Sequence, residues 1–133
     1  MPPTKQIARE MFARTLSAIN IPAVMKRKLQ FERSRLCLPS GTVELSATTR
    51  FVIIAIGKAA HSMVSGLVSL FPVGTSFAGV VAAPTAPVAA VAGIEYFVAG
   101  HPIPNGDSLR SAGAILRVLR TCSENSLVFF LLS

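Results

Sequence analysis

Two short stretches hold side chains and turns capable of chemistry. In the first, the apolar run Phe51 to Ile56 stops at Gly57-Lys58 and gives way to a small-residue, helix-compatible segment. The second is Gly100-His101-Pro102-Ile103-Pro104-Asn105-Gly106-Asp107-Ser108. Reading Phe51 to Ser65 as strand, tight turn and helix puts Lys58 at the carboxyl end of a buried strand. Open α/β sheets bind ligands there, and Lys58 is the only charged side chain between Arg50 and Glu95. The second loop precedes a predicted helix, whose first turn offers unpaired N–H groups and a positive dipole end to a phosphate or carboxylate. Lys58 would add a full charge to the same ligand. Each residue also has a plainer reading. Lys58 then is a turn lysine in solvent, His101 a loop histidine bonded to backbone, Asp107 or Ser108 an N-cap, and His61 a structural residue of the helix after the turn.

Two familiar phosphate loops are excluded by spacing. A Walker A loop needs a glycine five positions before the Gly-Lys pair and Ser or Thr after it, where this chain has Val52 and Ala59. A dinucleotide fingerprint needs G-x-G-x-x-G, whereas Gly57 is followed by Lys58, Ala59, Ala60, His61 and Ser62.

The elements that must position these loops follow from periodicity. Thr4 is the expected N-cap of an amphipathic helix with Ile7, Met11, Phe12, Leu16 and Ile19 on one face. Asn20-Ile21-Pro22 breaks it, and a second short helix runs from Pro22 to about Phe31, with Lys26-Arg27-Lys28 facing solvent. Leu36 to Thr49 has no sustained period and reads as a connection with one short extended piece near Thr42 to Leu45. From Phe51 the texture changes to continuous apolar runs, as expected of parallel strands buried on both faces. Strands are predicted at Phe51 to Ile56, Phe77 to Ala82, Ile94 to Ala99 and Leu127 to Leu132. A helix over Ala59 to Phe71 has Met63, Leu67 and Leu70 at core spacing; a helix from Asp107 to about Thr121 has Leu109, Ala112, Leu116 and Leu119 on one face. Ala83 to Gly93, broken by Pro84 and Pro87, reads as a loop over the sheet. The fold class is therefore α/β, Rossmann-like, a mostly parallel sheet with flanking helices. Residues 1–49 form an N-terminal helical segment and connection, and 50–133 an incomplete α/β domain.

Composition narrows the function. At 51% apolar and 14% charged residues the chain has a real core to bury. Of its thirteen basic residues, Lys5, Arg9, Arg14, Lys26, Arg27, Lys28, Arg33 and Arg35 lie in the first 35 positions. That region has Phe12 and Phe31 as its only aromatics and no nucleic-acid motif, so the +7 charge reads as a solvated basic face and no nucleic-acid partner is expected. A membrane span needs ~20 predominantly apolar residues, and Pro72, Gly74, Pro84 and Pro87 cut the uncharged interval into shorter pieces. Cys37 and Cys122 form no Cys/His ligand cluster and read as buried, reduced thiols of a cytoplasmic protein. No metal ligands are nominated. A basic amphipathic N-terminus also suits a mitochondrial transit peptide in a eukaryote, with Glu10 against it.

The run IAIGKAAHSM, then VAGHPIPNGDSL, AGAILRVL and LVFFLLS, resembles the N-terminal domain of the glycerate 2-kinase family. These are class II, MOFRL-type glycerate kinases, some of which bear the older label hydroxypyruvate reductase. The resemblance implies ATP-dependent, magnesium-assisted phosphorylation of D-glycerate, giving 2-phosphoglycerate in most members. Lys58 matches the lysine of the family's GKA motif and is the expected catalytic charge on transferring phosphate or substrate carboxylate. Gly57, His101, Asn105, Ser108 and Ser133 are the candidate substrate- or nucleotide-binding residues. His101 matches the GHP histidine beside the cleft, and Ser133 the first serine of a glycine-rich SGGGSA loop. Asn105 stands where many relatives carry aspartate. The resemblance implies no catalytic base within these residues. It also implies a smaller C-terminal domain that closes the cleft and is absent here. Leu127 to Ser133 independently reads as a central strand at which a longer domain has been cut, because so apolar a strand normally leads into a covering helix. Two other readings compete: a hydroxypyruvate-type oxidoreductase, and a non-enzymatic basic module binding anions or membranes through the N-terminal helices.

Overall fold

The computed structural model describes residues 4–133. Helix α1 spans Thr4–Ala18 and α2 spans Ile21–Lys28. Thr4 is itself helical, so it does not serve as the cap expected of it. Asn20 caps α2 instead: its Oδ1 accepts the Ala23 N–H at 2.9 Å, and Pro22 sits in the first turn, where an N–H would have no helical partner.

Helix α2 stops at Lys28 rather than near Phe31, and the stretch read as a connection is mostly a small sheet. Strands β1 (Gln30–Glu32), β2 (Arg35–Leu38) and β3 (Gly41–Glu44) form an antiparallel meander. Only its last strand was expected. Strands of three or four residues are too short to display a period, and the turns rest on Arg33 at φ 49° and Gly41 at φ 142° rather than on a standard hairpin dipeptide. Phe31 carries the meander onto the main domain through an edge-on contact with Phe71 at 5.2 Å. Phe71 in turn meets Phe51 and Phe77, the first residues of two neighbouring strands or nearly so, and this cluster closes the amino end of the sheet.

That sheet contains β4 (Arg50–Ile56), β5 (Phe77–Ala83), β6 (Ile94–Val98) and β7 (Ser126–Leu132), all parallel, in the order β6-β5-β4-β7. All four predicted strands are present. Val52 to Ala55 and Val80 to Ala83 are buried on both faces, which accounts for their unbroken apolar sequence. Helix α3 (Ala60–Val68) covers one face, placing Ala60, Val64 and Leu67 with Ile53, Ala55 and Val81. Helix α4 (Gly106–Leu119) covers the other, placing Ala114, Ile115 and Val118 with Val52, Ile54 and Val80. Each fully buried Val, Leu or Ile contributes roughly 1.5–3 kcal/mol.

The helix faces differ from those expected. In α4, Leu109 and Leu116 are exposed, while Ser111 and Ala114 are buried. Ile115, Val118 and Leu119 pack on the core beside Ala114, so of the expected leucines only Leu119 faces the sheet. In α3 the inward residues are Ala60, Val64 and Leu67, with Met63 only half-buried. On α1, the apolar stripe Ile7, Met11, Phe12 and Leu16 is exposed. Lys26, Arg27 and Lys28 face solvent as expected, and both cysteines are free but half-buried rather than buried. Among the described residues, no helix is long and apolar enough to cross a membrane.

Candidate functional site at the strand ends

Parallel pairing brings the carboxyl ends of all four strands to one edge, and backbone hydrogen bonds stitch that edge together. Ala99 donates to the Ala83 carbonyl at 2.9 Å, Gly57 to Ala82 at 3.0 Å, and Ser133 to Ile56 at 3.1 Å. The chain builds β4, adds β5 and β6 on one side, then crosses over α4 to add β7 on the other. The order therefore reverses between β4 and β7, the position where doubly wound sheets open a ligand crevice. Gly57-Lys58 and Ser133 occupy that point.

Their geometry is tight. Gly57 has φ 114°, a conformation L side chains avoid, and a Cβ there would run into the Ser133 carbonyl and hydroxyl. The Ala59 N–H donates to Ser133 Oγ at 3.0 Å, so a side chain from β7 completes the start of α3, which has no side-chain cap of its own. Lys58 is exposed at this turn and makes no salt bridge among the described residues.

The loop after β6 folds back on itself. Its His101-Pro102 peptide is cis, and a Cβ at Gly100 would strike the Ile103 carbonyl and lie 3.0 Å from Asn105 N. Asn105, not Asp107 or Ser108, is the N-cap of α4. Its Oδ1 accepts the Ser108 N–H at 3.0 Å, and Ser108 Oγ accepts the Asn105 N–H at 3.1 Å. The same pair grips β6: Asn105 Nδ2 donates to the Val98 carbonyl at 3.1 Å, and the Gly100 N–H to Ser108 Oγ at 3.2 Å. Asp107 pairs with Arg110. A cap at 105 was not foreseen, because a reading that starts the helix at Asp107 places Asn105 outside it; the signal was the Asn-x-x-Ser spacing.

The structure thus sorts the candidate residues. Gly57 and His101 share a cleft of about 150 Å³ with Ala82 and Ala83 of β5 and Pro84 just after it. Lys58 on the turn before α3 and Ser133 after β7 both lie outside the lining, Ser133 held to that turn by the Ala59 N–H. Asn105 and Ser108 hold the loop that carries His101. The end of β5 was missed as a lining element, although a parallel sheet places every strand's carboxyl end on one edge. His61 has the structural part expected: Nε2 donates to the Thr85 carbonyl at 2.8 Å and the ring stacks on Tyr96, with centroids 5.8 Å apart. Its Nδ1 is buried and unpartnered.

At about 150 Å³ the cleft is smaller than the ~300–1,000 Å³ of small-molecule pockets and does not by itself enclose such a ligand. An anion fits its donor set, with Lys58 and the start of α3 on one side and the His101 loop on the other. A magnesium ion does not fit these residues. Mg²⁺ is usually held by carboxylates together with phosphate oxygens; here Asp107 is paired with Arg110, and the described residues contain no group of three His, Cys, Asp or Glu able to hold a metal.

Residues 7–133 match the family model described as a domain of unknown function, DUF4147. The chain belongs to that family. No protein with a curated description matches it. Among solved structures, the PH0495 protein of Pyrococcus horikoshii OT3 is similar, at TM-score 0.75 and 22% identity over 95% of this chain. That likeness supports the α/β fold with its parallel sheet and nothing finer. The chain spans 28% of the Pyrococcus protein's length.

Proposed function

We propose that this chain supplies the phosphate-gripping wall of a glycerate kinase, an enzyme that transfers the γ-phosphoryl group of ATP to D-glycerate and yields 2-phosphoglycerate. The reading rests on Lys58 and Ser133 lying together where the strand order reverses. It is supported by the GKA and GHPxP motifs at Gly57 and Gly100, and by the DUF4147 match, a domain found at the N-terminus of MOFRL-type glycerate kinases.

Phosphoryl transfer needs in-line positioning and compensation of spread negative charge more than covalent help from the protein. Lys58, exposed on a turn pinned by Gly57, would neutralise a phosphate oxygen or hold the substrate carboxylate. The first N–H groups of α3 point the same way by helix geometry, and adding a ligand oxygen there would compete with Ser133 Oγ for the Ala59 N–H. His101 would close the opposite side from the β6 loop. ATP supplies the transferred group, and the metal that accompanies it would take its protein ligands outside the described residues. No catalytic base is assigned among the described residues, and these 133 residues by themselves are expected to be inactive or nearly so.

The test is D-glycerate-dependent ADP release by an extended protein containing this domain. Lys58→Ala should lower turnover by about 10²-fold or more, the scale seen when one transition-state donor is removed. Unchanged turnover would take Lys58 out of the mechanism. NADH or NADPH oxidation with hydroxypyruvate and no ATP requirement would replace the kinase reading with a reductase.

A further inference from the structure

β5 and β6 are parallel neighbours, and such strands are usually joined through a helix in a crossover of a dozen or more residues. Here residues 84–93 make the connection without a helix, broken by Pro84 and Pro87. Beside α3 this loop leaves a groove of about 450 Å³, within the ~300–1,000 Å³ of small-molecule pockets. His61, Ser62 and Ser65 of α3 form one wall, residues 85–91 form another, and Pro22 and Tyr96 complete the lining. None of these residues is charged. The stacked rings of His61 and Tyr96 are pinned in place: His61 Nε2 donates to the Thr85 carbonyl, and the Tyr96 hydroxyl accepts the Val91 N–H at 3.1 Å. Because a carbonyl can only accept, Nε2 carries the ring hydrogen and Nδ1 is an acceptor, buried and without a donor. The groove is thus an uncharged, partly aromatic slot with its shape already set, and its unmet polar demand is for a donor.

The groove adjoins the strand-end cleft. Pro84 lines the cleft and Thr85 the groove; Gly57 lines the cleft and His61 the groove, with Lys58 between them in the chain. A ligand lying across both has room for an anionic part at Lys58 and an uncharged part against His61 and Tyr96. We infer that the groove takes the base and ribose of the nucleotide whose phosphates the Lys58 turn grips, an inference that rests on the kinase reading above. A base brings a flat π-face to the aromatic pair and N–H groups to a site short of donors. A ribose brings hydroxyls that can exchange hydrogen bonds with the exposed hydroxyls of Ser62 and Ser65. The whole lining lies between Pro22 and Tyr96, so the groove depends on neither end of the chain.

The experiment splits the nucleotide in two and titrates this chain separately with adenosine and with inorganic tripolyphosphate, following amide shifts. Adenosine should move Ser62, Ser65, Thr85, Val91 and Tyr96 saturably, and its ring protons should show nuclear Overhauser contacts to Val91 or Tyr96. Tripolyphosphate should move Lys58 and Ala59. Ser65→Trp, which fills the groove from an exposed position, should raise the adenosine dissociation constant about tenfold or more. The natural chain decides the matter alone if that variant misfolds. No adenosine response at millimolar concentration, or one centred away from the groove, overturns the inference while a tripolyphosphate response at Lys58 leaves the kinase reading standing. Adenosine in the groove without tripolyphosphate at Lys58 ends the kinase reading and, with it, a nucleotide lying across both sites. Adenosine binding indifferent to a folded Ser65→Trp also overturns the inference.

Discussion

Gly57 and Gly113 are the sharpest pair of contrasts at the scale of single residues. Gly57 sits at φ 114° against Ser133, so Gly57→Ala must both strain the backbone and displace the end of β7. A loss of about 1–3 kcal/mol is expected by urea unfolding. Gly113 is helical, exposed and has nothing within 4 Å of an added Cβ, so Gly113→Ala should gain about 0.5–1 kcal/mol. Asn105→Ala removes the cap of α4 and a bond to the Val98 carbonyl together, and should cost about 1–2 kcal/mol. If Asn105 were instead a ligand-contacting residue with no structural part, its truncation would leave the unfolding midpoint where it was.

At the scale of elements, the revised face of α4 has a direct check. Ala114→Leu should destabilise by about 1–3 kcal/mol, because Ala114 is 1% exposed and lies between helix and sheet. Leu116→Gln should change stability by no more than about 0.5 kcal/mol, because Leu116 is 55% exposed. The reverse ranking would restore the Leu stripe as the buried face. What could be read from sequence, and what could not, divides along the same physical lines. β4 and β5 were legible because strands buried on both faces carry no competing polar pattern, and β6 and β7 because they are short, mostly apolar runs set off by Gly or polar residues. The 3.6-residue period of α4 was legible too, but periodicity does not say which of two apolar stripes is nearer the sheet, and here it is the one through Ala114, Ile115 and Val118. The meander β1-β2-β3 was illegible because its strands are shorter than two turns of any alternation. In the site, Gly57-Lys58 announced itself as an apolar run ending in a lone charge. The bond between Ala59 and Ser133 joins residues far apart in sequence and follows only from strand order. The cap at Asn105 is local, yet a helix start misplaced by one residue was enough to hide it.

At the scale of the whole molecule, the two faces of the sheet and its two ends do different work. Helices α3 and α4 cover opposite faces, the phenylalanine cluster closes the amino end, and the carboxyl end is left open with Lys58, Ser133 and His101 around a shallow cleft. A second basic surface, Lys26, Arg27 and Lys28 at the end of α2, lies outside that cleft and is the competing place for an anion. The central claim is that phosphate is gripped at the reversal of strand order, not at the basic helices. Backbone amide chemical shifts of this chain during titration with ATP test it most directly. Lys58, Ala59, His61, His101 and Ser133 should shift together and saturably, and Lys58→Ala should weaken the response while Lys28→Ala does not. Shifts centred on Lys26 to Lys28, or none at the Lys58 turn at millimolar ATP, would contradict it.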